Sequence, residues 1–556
     1  MDAVSPLEEI FVAARIPAGS PERGSLAAGL RAALKCAGVS AVGEYFSESF
    51  TDYLTAMIDE KISAQVNAIL HHPQFLALEA LWRGLRFLTD RMDFTQNIIL
   101  EYLNISKEDL LNDFHDAPEI VKSGLYRLIY TAEFGQFGGR PVGAVIAGYT
   151  LGPGPQDVQL MQYVSAVASL SHAPFFAAAG KDFFGVDSWG RFPDLADVKS
   201  IFDMPRYERW NAFRDTENAR YMGLALPGFL LRLPYDGDNA AGASSFNFIE
   251  EPESEDDFCW GNTAFAVAVC LADSFAKYRW CVNIIGPDGG GAVQGLPCCR
   301  YQAMGDIQNK IPTRTIISEH REFELAELGF IALAPGRSPH EAVFYSADSV
   351  LRPKPYPNTP EGFTAEISFR LSTQFPYMMI MNRLAHYIKV LQRESIGAWK
   401  GREEISRELN RWISGYVTEM DTPDALTRSR RPLRMAKVEV KEVPGVAGWY
   451  DVTILARPHF KYMGVSFTLS LEGRLDRNEP VVPVVSPTPV AAPDAQAATT
   501  AATAGAQIAY PVATDGVKAA PPDAIPGTQA AASAAAPGTQ LAPPVAAPDA
   551  QAAATG

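Results

Sequence analysis

From Phe50 onward the apolar residues recur at helical spacing. Phe50, Leu54, Ile58, Ile62, Val66 and Ile69 form one stripe, the pattern of an amphipathic helix. Pro73 interrupts it, and Phe75, Leu78, Trp82, Leu85 and Leu88 resume it. The spacing predicts two helices in series, over 47–71 and 73–90, divided by the proline. Trp82 and Arg86 lie four residues apart, which predicts a core aromatic beside a capping arginine. Upstream, Leu26–Ala37 predicts a short helix in a glycine-dotted segment.

Between 140 and 180 the period changes. Val142–Ala147 is an apolar run, Gly152-Pro153-Gly154-Pro155 a turn, Val158–Leu170 a helix, and Pro174–Ala179 a second apolar run. Short buried strands flanking a helix predict a parallel pair with a crossover. Tyr221–Leu233, Asn262–Tyr278 and Trp280–Ile285 repeat the arrangement as strand, helix and strand. After Phe375 come two more helical patterns, one through Leu384, Ile388 and Leu391, the other through Ile405, Leu409, Trp412 and Tyr416. Ala436–Val443, Trp449–Ala456 and Val465–Leu471 alternate with period two and predict an antiparallel meander. In it Val438, Val440, Val452, Ile454 and Phe467 face inward, with Lys437, Glu439 and Lys441 on the opposite face. The fold class is therefore α/β, mixed with α+β. A segment at 1–45 precedes a helical part at 46–135. An α/β centre at 136–370 and a C-terminal part at 371–479 with helices and a meander follow.

Beyond Glu479 the composition shifts to Ala, Pro, Thr and Gly, with Tyr510 the only aromatic. VAAPDAQAA occurs at 490–498 and again at 545–553. So few large apolar groups cannot offset the entropy of ordering, so residues 480–556 are expected to be disordered.

Composition narrows the function by exclusion. Lys plus Arg number 48 against 64 Asp plus Glu, a net charge of −16 in 556 residues, which argues against a nucleic-acid binder. No apolar run reaches the length of a membrane span. The acidic start Met1-Asp2-Ala3-Val4-Ser5-Pro6-Leu7-Glu8-Glu9 is unlike a signal peptide. Six cysteines without a CxxC pair fit a reduced interior. A cytoplasmic, soluble protein is the expectation.

Catalytic patterns are missing: no HExxH, no GxSxG and no GxxxxGK[ST] occurs. Gly286-Pro287-Asp288-Gly289-Gly290-Gly291 follows an expected strand, where phosphates bind in dinucleotide folds. Its spacing is not GxGxxG, and a structural loop is the favoured reading. The acidic run Glu250, Glu251, Glu253, Glu255, Asp256 and Asp257 is read as a helix cap facing water. Cys298 and Cys299 are read as buried or partly buried thiols. No catalytic, cofactor or metal residue is assigned, and no cofactor is expected.

Ten segments in order carry a resemblance. They are Ile58–Gln65, Leu78–Leu85, Pro174–Ala179, Ala219–Leu224, LPGFLLRLPY at 226–235, FNFIEE at 246–251, WGNTAF at 260–265, GPDGGGAVQGLP at 286–297, HYIKVLQRESIG at 386–397 and RPHFKYMG at 457–464. From Phe46 to Leu475 the chain resembles the large subunit of the type VI secretion contractile sheath, the TssC/VipB family. The resemblance implies a heterodimer with the small sheath subunit (TssB/VipA-type). It implies a helical sheath of six-fold rings of such heterodimers around an inner tube, on a baseplate. It further implies a disassembly AAA+ ATPase acting mainly through the small subunit, and β-strands traded between protomers. The meander is the natural donor for that exchange, which makes Val438, Val440, Val452, Ile454 and Phe467 the expected inter-subunit strand residues. Contraction would propel the tube and effectors into target cells, without direct membrane insertion. The sequence departs from the family at Arg279, where glycine is expected after Tyr278.

Overall fold

A computed structural model describes residues 17, 20, 22–36, 48–134, 138–236, 248–303, 306–354, 356–394, 401–418, 420, 423–442, 450–459, 468–473 and 484–488. Helices α1 (Glu22–Cys36), α2 (Glu48–Leu70) and α3 (Pro73–Arg91) open the chain. Pro73 sits at the start of α3, where its missing N–H costs nothing. Helix α4 (Lys107–Asp116) is capped by Ser106, whose hydroxyl accepts from the Asp109 amide at 3.0 Å.

The centre is a six-stranded mixed sheet. Strands β1 (Val145–Leu151), β2 (Phe175–Ala179), β3 (Met222–Leu226) and β5 (Phe330–Pro335) run parallel, and β6 (Ala342–Phe344) and β4 (Ala292–Val293) close the antiparallel edge, in the order β1-β2-β3-β5-β6-β4. Helix α5 (Pro155–Ser171) joins β1 to β2, so the expected crossover is present. Every residue of β2 and β3 is buried, as a parallel sheet covered on both faces requires. Helix α6 (Thr263–Tyr278) packs on β1, β2 and β3 and on α3. The Asn262 side chain caps its start, accepting from the Ala264 amide at 2.9 Å.

A second core lies beyond α7 (Glu319–Glu327) and α8 (Pro360–Ser372). Helix α9 (Phe375–Glu394) brings Ile380, Leu384 and Ile388, and α10 (Arg402–Ser414) brings Ile405, Leu409 and Ile413. They close on β7 (Leu433–Glu442) and β8 (Tyr450–Pro458), which follow the short helix α11 (Ala425–Arg430). Strands β9 (Thr468–Gly473) and β10 (Val484–Thr488) complete an antiparallel sheet in the order β7-β8-β9-β10.

Three expectations are corrected. Trp280–Ile285 is not a strand. It runs between the two cores, Trp280 and Val282 joining the second and Cys281, Ile284 and Ile285 the first. Its polar backbone is held instead by side chains: Ser274 Oγ donates to the Trp280 carbonyl at 2.7 Å and accepts from the Asn283 amide at 3.1 Å. Trp82 is not core, being 66% exposed. Within 480–556, expected to be disordered throughout, Val484–Thr488 pairs with β9; residues 480–483 and 489–556 lie outside the described residues.

Candidate assembly surface

Strands β7 and β8 of the C-terminal sheet bury one face, and the margins of the sheet are β7 and β10. Val438 (1% exposed), Val440 (9%), Val452 (1%) and Ile454 (1%) all point to the chain's own second core. The expected inward alternation is present, with Lys437 and Lys441 exposed on the far face and Glu439 half-buried there. Phe467 lies outside the described residues. These four side chains are occupied within one protomer, so any contact with another strand falls to the backbone edges.

Along the β7 edge the geometry is specific. The Val438 amide donates to Asn410 Oδ1 at 2.9 Å, and its carbonyl accepts from Asn410 Nδ2 at 2.8 Å. Val438 is paired with Ile454 in the ladder, yet both its polar groups point away from β8. Antiparallel strands alternate in this respect, so Ala436, Val440 and Glu442 also present their amides and carbonyls outward. Leu433 shares that edge, exchanging bonds with Tyr416 and Thr418 through a parallel bridge at Val417. One helical asparagine therefore occupies the place of a strand partner midway along an edge with no strand on it among the described residues. At the other margin, β10 pairs with β9 alone.

A second unpartnered surface lies on α2 and α3. Ile58, Ile62, Ile69, Leu78 and Trp82 are exposed there, the last three by 59%, 54% and 66%. The apolar stripe thus looks outward over much of its length. Scattered exposed apolar side chains are ordinary, but a continuous row marks an interaction face. Helix α3 itself is anchored from behind. Arg232 bridges Glu79 at 2.7 Å and Glu250 at 3.1 Å, Arg83 bonds Glu79 at 2.6 Å, and His71 reaches Glu250 at 3.2 Å. Burial pushes the Glu79 carboxyl up, but hydrogen bonds from Arg232 and Arg83 outweigh it and hold the group below the usual carboxylate range.

The glycine loop faces inward. The Gly286 amide donates to the Phe344 carbonyl at 2.7 Å, the Gly291 amide to Gly286 at 2.9 Å, and Phe344 returns a bond to Gly291 at 2.9 Å. A Cβ on Gly291 would stand 2.5 Å from the Phe344 carbonyl, so glycine here permits close backbone packing against β6. These amides are spent inside the fold rather than aimed at a phosphate. Of the acidic run, Glu250 is buried against Arg232, Glu255 and Asp256 pair with Arg314, and Asp257 completes a capping box with Ser254. Burial pushes the thiols of Cys259 and Cys270 up to about 12 and that of Cys281 up to about 11, so they remain protonated. Among the described residues no group of His, Cys, Asp and Glu is arranged to hold a metal ion, and no helix is long and apolar enough to cross a membrane.

The described residues thus form a six-stranded mixed sheet with its helices and a smaller four-stranded antiparallel sheet. Two family models match the chain. Residues 52–351 match the EvpB/VC_A0108 tail sheath N-terminal domain, and residues 364–475 match the tail sheath gpW/gp25-like domain of the same family. The chain is also 36% identical over 428 residues to the type VI secretion system sheath protein TssC1 of Pseudomonas aeruginosa, covering 76% of this chain and 85% of that protein. The chain belongs to the EvpB/VC_A0108 tail sheath family, the large sheath subunits of type VI secretion.

Proposed function

We propose that this chain pairs with a small sheath subunit and polymerises helically, in six-fold rings around an inner tube, to form a sheath. Its contraction propels the tube and effectors into target cells. The observation that carries the reading is family membership over both folded parts. The open strand edges at β7 and β10 support growth by strand addition, in which main-chain pairing supplies affinity. The exposed row on α2 and α3 supports an obligate partner. The sheath works in the bacterial cytoplasm, seated on a baseplate and recycled by an AAA+ ATPase acting mainly through the small subunit. It acts as a structural component and not as an enzyme. Electron microscopy of the full chain co-expressed with the small subunit tests this. Hollow ribbed tubes are expected; monomers or bare heterodimers at all concentrations would overturn it. Tubes that form without an envelope-anchored baseplate partner in the same genome would favour another phage-tail-like injector instead.

A further inference from the structure

The thirteen residues Ala425–Lys437 contain four arginines and one lysine and no acidic residue. Arg428, Arg430 and Arg431 are exposed. No ion pair or side-chain hydrogen bond engages any of the three among the described residues. The segment is a local concentration of positive charge in a chain with a net charge of −16. Arg127, Arg209 and Arg337 are likewise exposed without an ion pair among the described residues, but they stand far apart along the chain, whereas Arg428, Arg430 and Arg431 fall within four positions.

The segment is held rigid. Trp280 Nε1 donates to the Arg430 carbonyl at 3.1 Å, the Arg431 amide to Thr427 at 2.8 Å and the His459 amide to Pro432 at 3.0 Å. Exposed Leu426 (48%) and Met435 (46%) flank the arginines. Arginine and methionine are the residues enriched at protein interfaces, and a pre-ordered patch loses little entropy on docking. The field is felt locally: burial first, then the charges of Arg434 and Arg428, hold the His459 imidazole below its usual pKa.

We propose that Arg428, Arg430 and Arg431 dock onto a carboxylate-rich face of a second copy of this chain. The proposal rests on the polymer reading above. Copies that each carry excess acid repel on approach, so a contact between them needs local complementarity. Guanidinium groups provide it, since their planar donors match carboxylates in pairs.

The test uses the full chain with its small subunit. Arg428→Lys, Arg430→Lys and Arg431→Lys together keep the charge and make the positions reactive to a zero-length carbodiimide cross-linker. Mixing isotopically light and heavy copies before assembly separates contacts between copies from contacts within one. Cross-links from these positions to Asp or Glu of another copy are expected. The corresponding Glu substitutions should raise the concentration needed for polymerisation by about tenfold or more. Raising salt from about 0.05 to about 0.5 M should weaken the wild type similarly and the Glu variant little. Cross-links only within one copy, only to the small subunit, or none at all, overturn the assignment, as does an unchanged polymerisation threshold in a Glu variant that still co-purifies with its partner. If the Glu variant fails to fold, the lysine cross-links decide alone. A wild-type chain that forms no polymer under any condition overturns the sheath reading and the proposal with it; every other negative outcome overturns the patch alone.

Discussion

Replacing Asn410 by alanine removes two bonds to the Val438 backbone, at 2.9 and 2.8 Å. The other bonds of that side chain, to the Ser406 carbonyl at 2.8 Å and the Ser406 hydroxyl at 3.4 Å, lie within helix α10, whose own ladder already serves that carbonyl. The cost is therefore set by the strand edge. Two neutral hydrogen bonds at roughly 0.5–1.5 kcal/mol each give about 1–3 kcal/mol. At about 1.4 kcal/mol per decade, the Val438 amide should exchange with deuterium about 5–150 times faster. Thr453, whose amide lies inside the β7–β8 ladder, should keep its protection. Residue-resolved hydrogen exchange by mass spectrometry reads both. Asn410→Asp is the control, since it retains an acceptor for the amide while setting a carboxylate against the Val438 carbonyl. It should preserve amide protection yet lower stability. The freed edge should also raise self-association in sedimentation velocity. If Val438 exchanges equally in wild type and Asn410→Ala, the asparagine does not guard the edge.

Three further outcomes follow from the same geometry. Arg232→Ala leaves Glu250, 5% exposed, and Glu79 without their shared cation, and should cost about 3–5 kcal/mol in denaturant titration. Because Glu79 is held below its usual 4.5 when folded, its contribution is present above about pH 4.5 and is lost as pH falls through the lowered value. Arg279 ends α6 with φ at +66°, so Arg279→Gly should be neutral or stabilising by about 1 kcal/mol in a thermal melt, relief of left-handed strain exceeding the lost exposed contacts to Gln96. Lys389 is packed against Tyr130 and Phe134 and donates to the Leu170 carbonyl at 3.3 Å, and burial pushes its amine down to about 7; the unfolded chain then binds more protons between pH 7 and 10.5, so stability should rise with pH across that window, and Lys389→Met should flatten the rise.

Strand–helix–strand order at 145–179 was legible because each element buries a whole face and so writes its period into the sequence. The helices from 48 to 91 were legible because an apolar stripe at helical spacing marks a helix whether or not its own chain covers it. Their exposure was not, since an apolar stripe reads alike whether its own chain or a partner covers it. Trp280–Ile285 misled because a segment threaded between two cores buries both sides as a central strand does. The glycine loop was read as structural from its irregular spacing, and its inward amides support that reading. Nothing marked Asn410: a polar residue on an amphipathic helix looks solvent-facing, and its partner lies 28 positions away. The arginines at 428–431 were visible as sequence but not as unpaired charge, which only the surrounding surface reveals. Strand β10 left a trace in Val481-Val482-Pro483-Val484-Val485, outweighed by the composition that follows, and Pro487 suits a margin strand, where a missing donor is tolerated.

The inward valines are poor places to test strand addition. Val452 lies on β8, between β7 and β9, paired with Val440 on one side and Gly473 on the other. Its amide points toward β9, so Val452→Pro removes a bond inside the protomer's own sheet and loss of polymer would say nothing about neighbours. Ala436 is a cleaner position. It is paired with Ala456, but its amide points out of the ladder, as that of Val438 does. Ala436→Pro therefore removes a donor from the open edge while sparing the β7–β8 bonds, and it exchanges one small side chain for another. If an incoming strand adds at this edge, the heterodimer should still co-purify, its melting temperature should fall by a few degrees at most, about what 1 kcal/mol produces in a large domain, and sheath polymers should be absent. Polymers of normal length and contractility from Ala436→Pro would rule out the β7 edge and leave β10 as the margin on which strands could exchange.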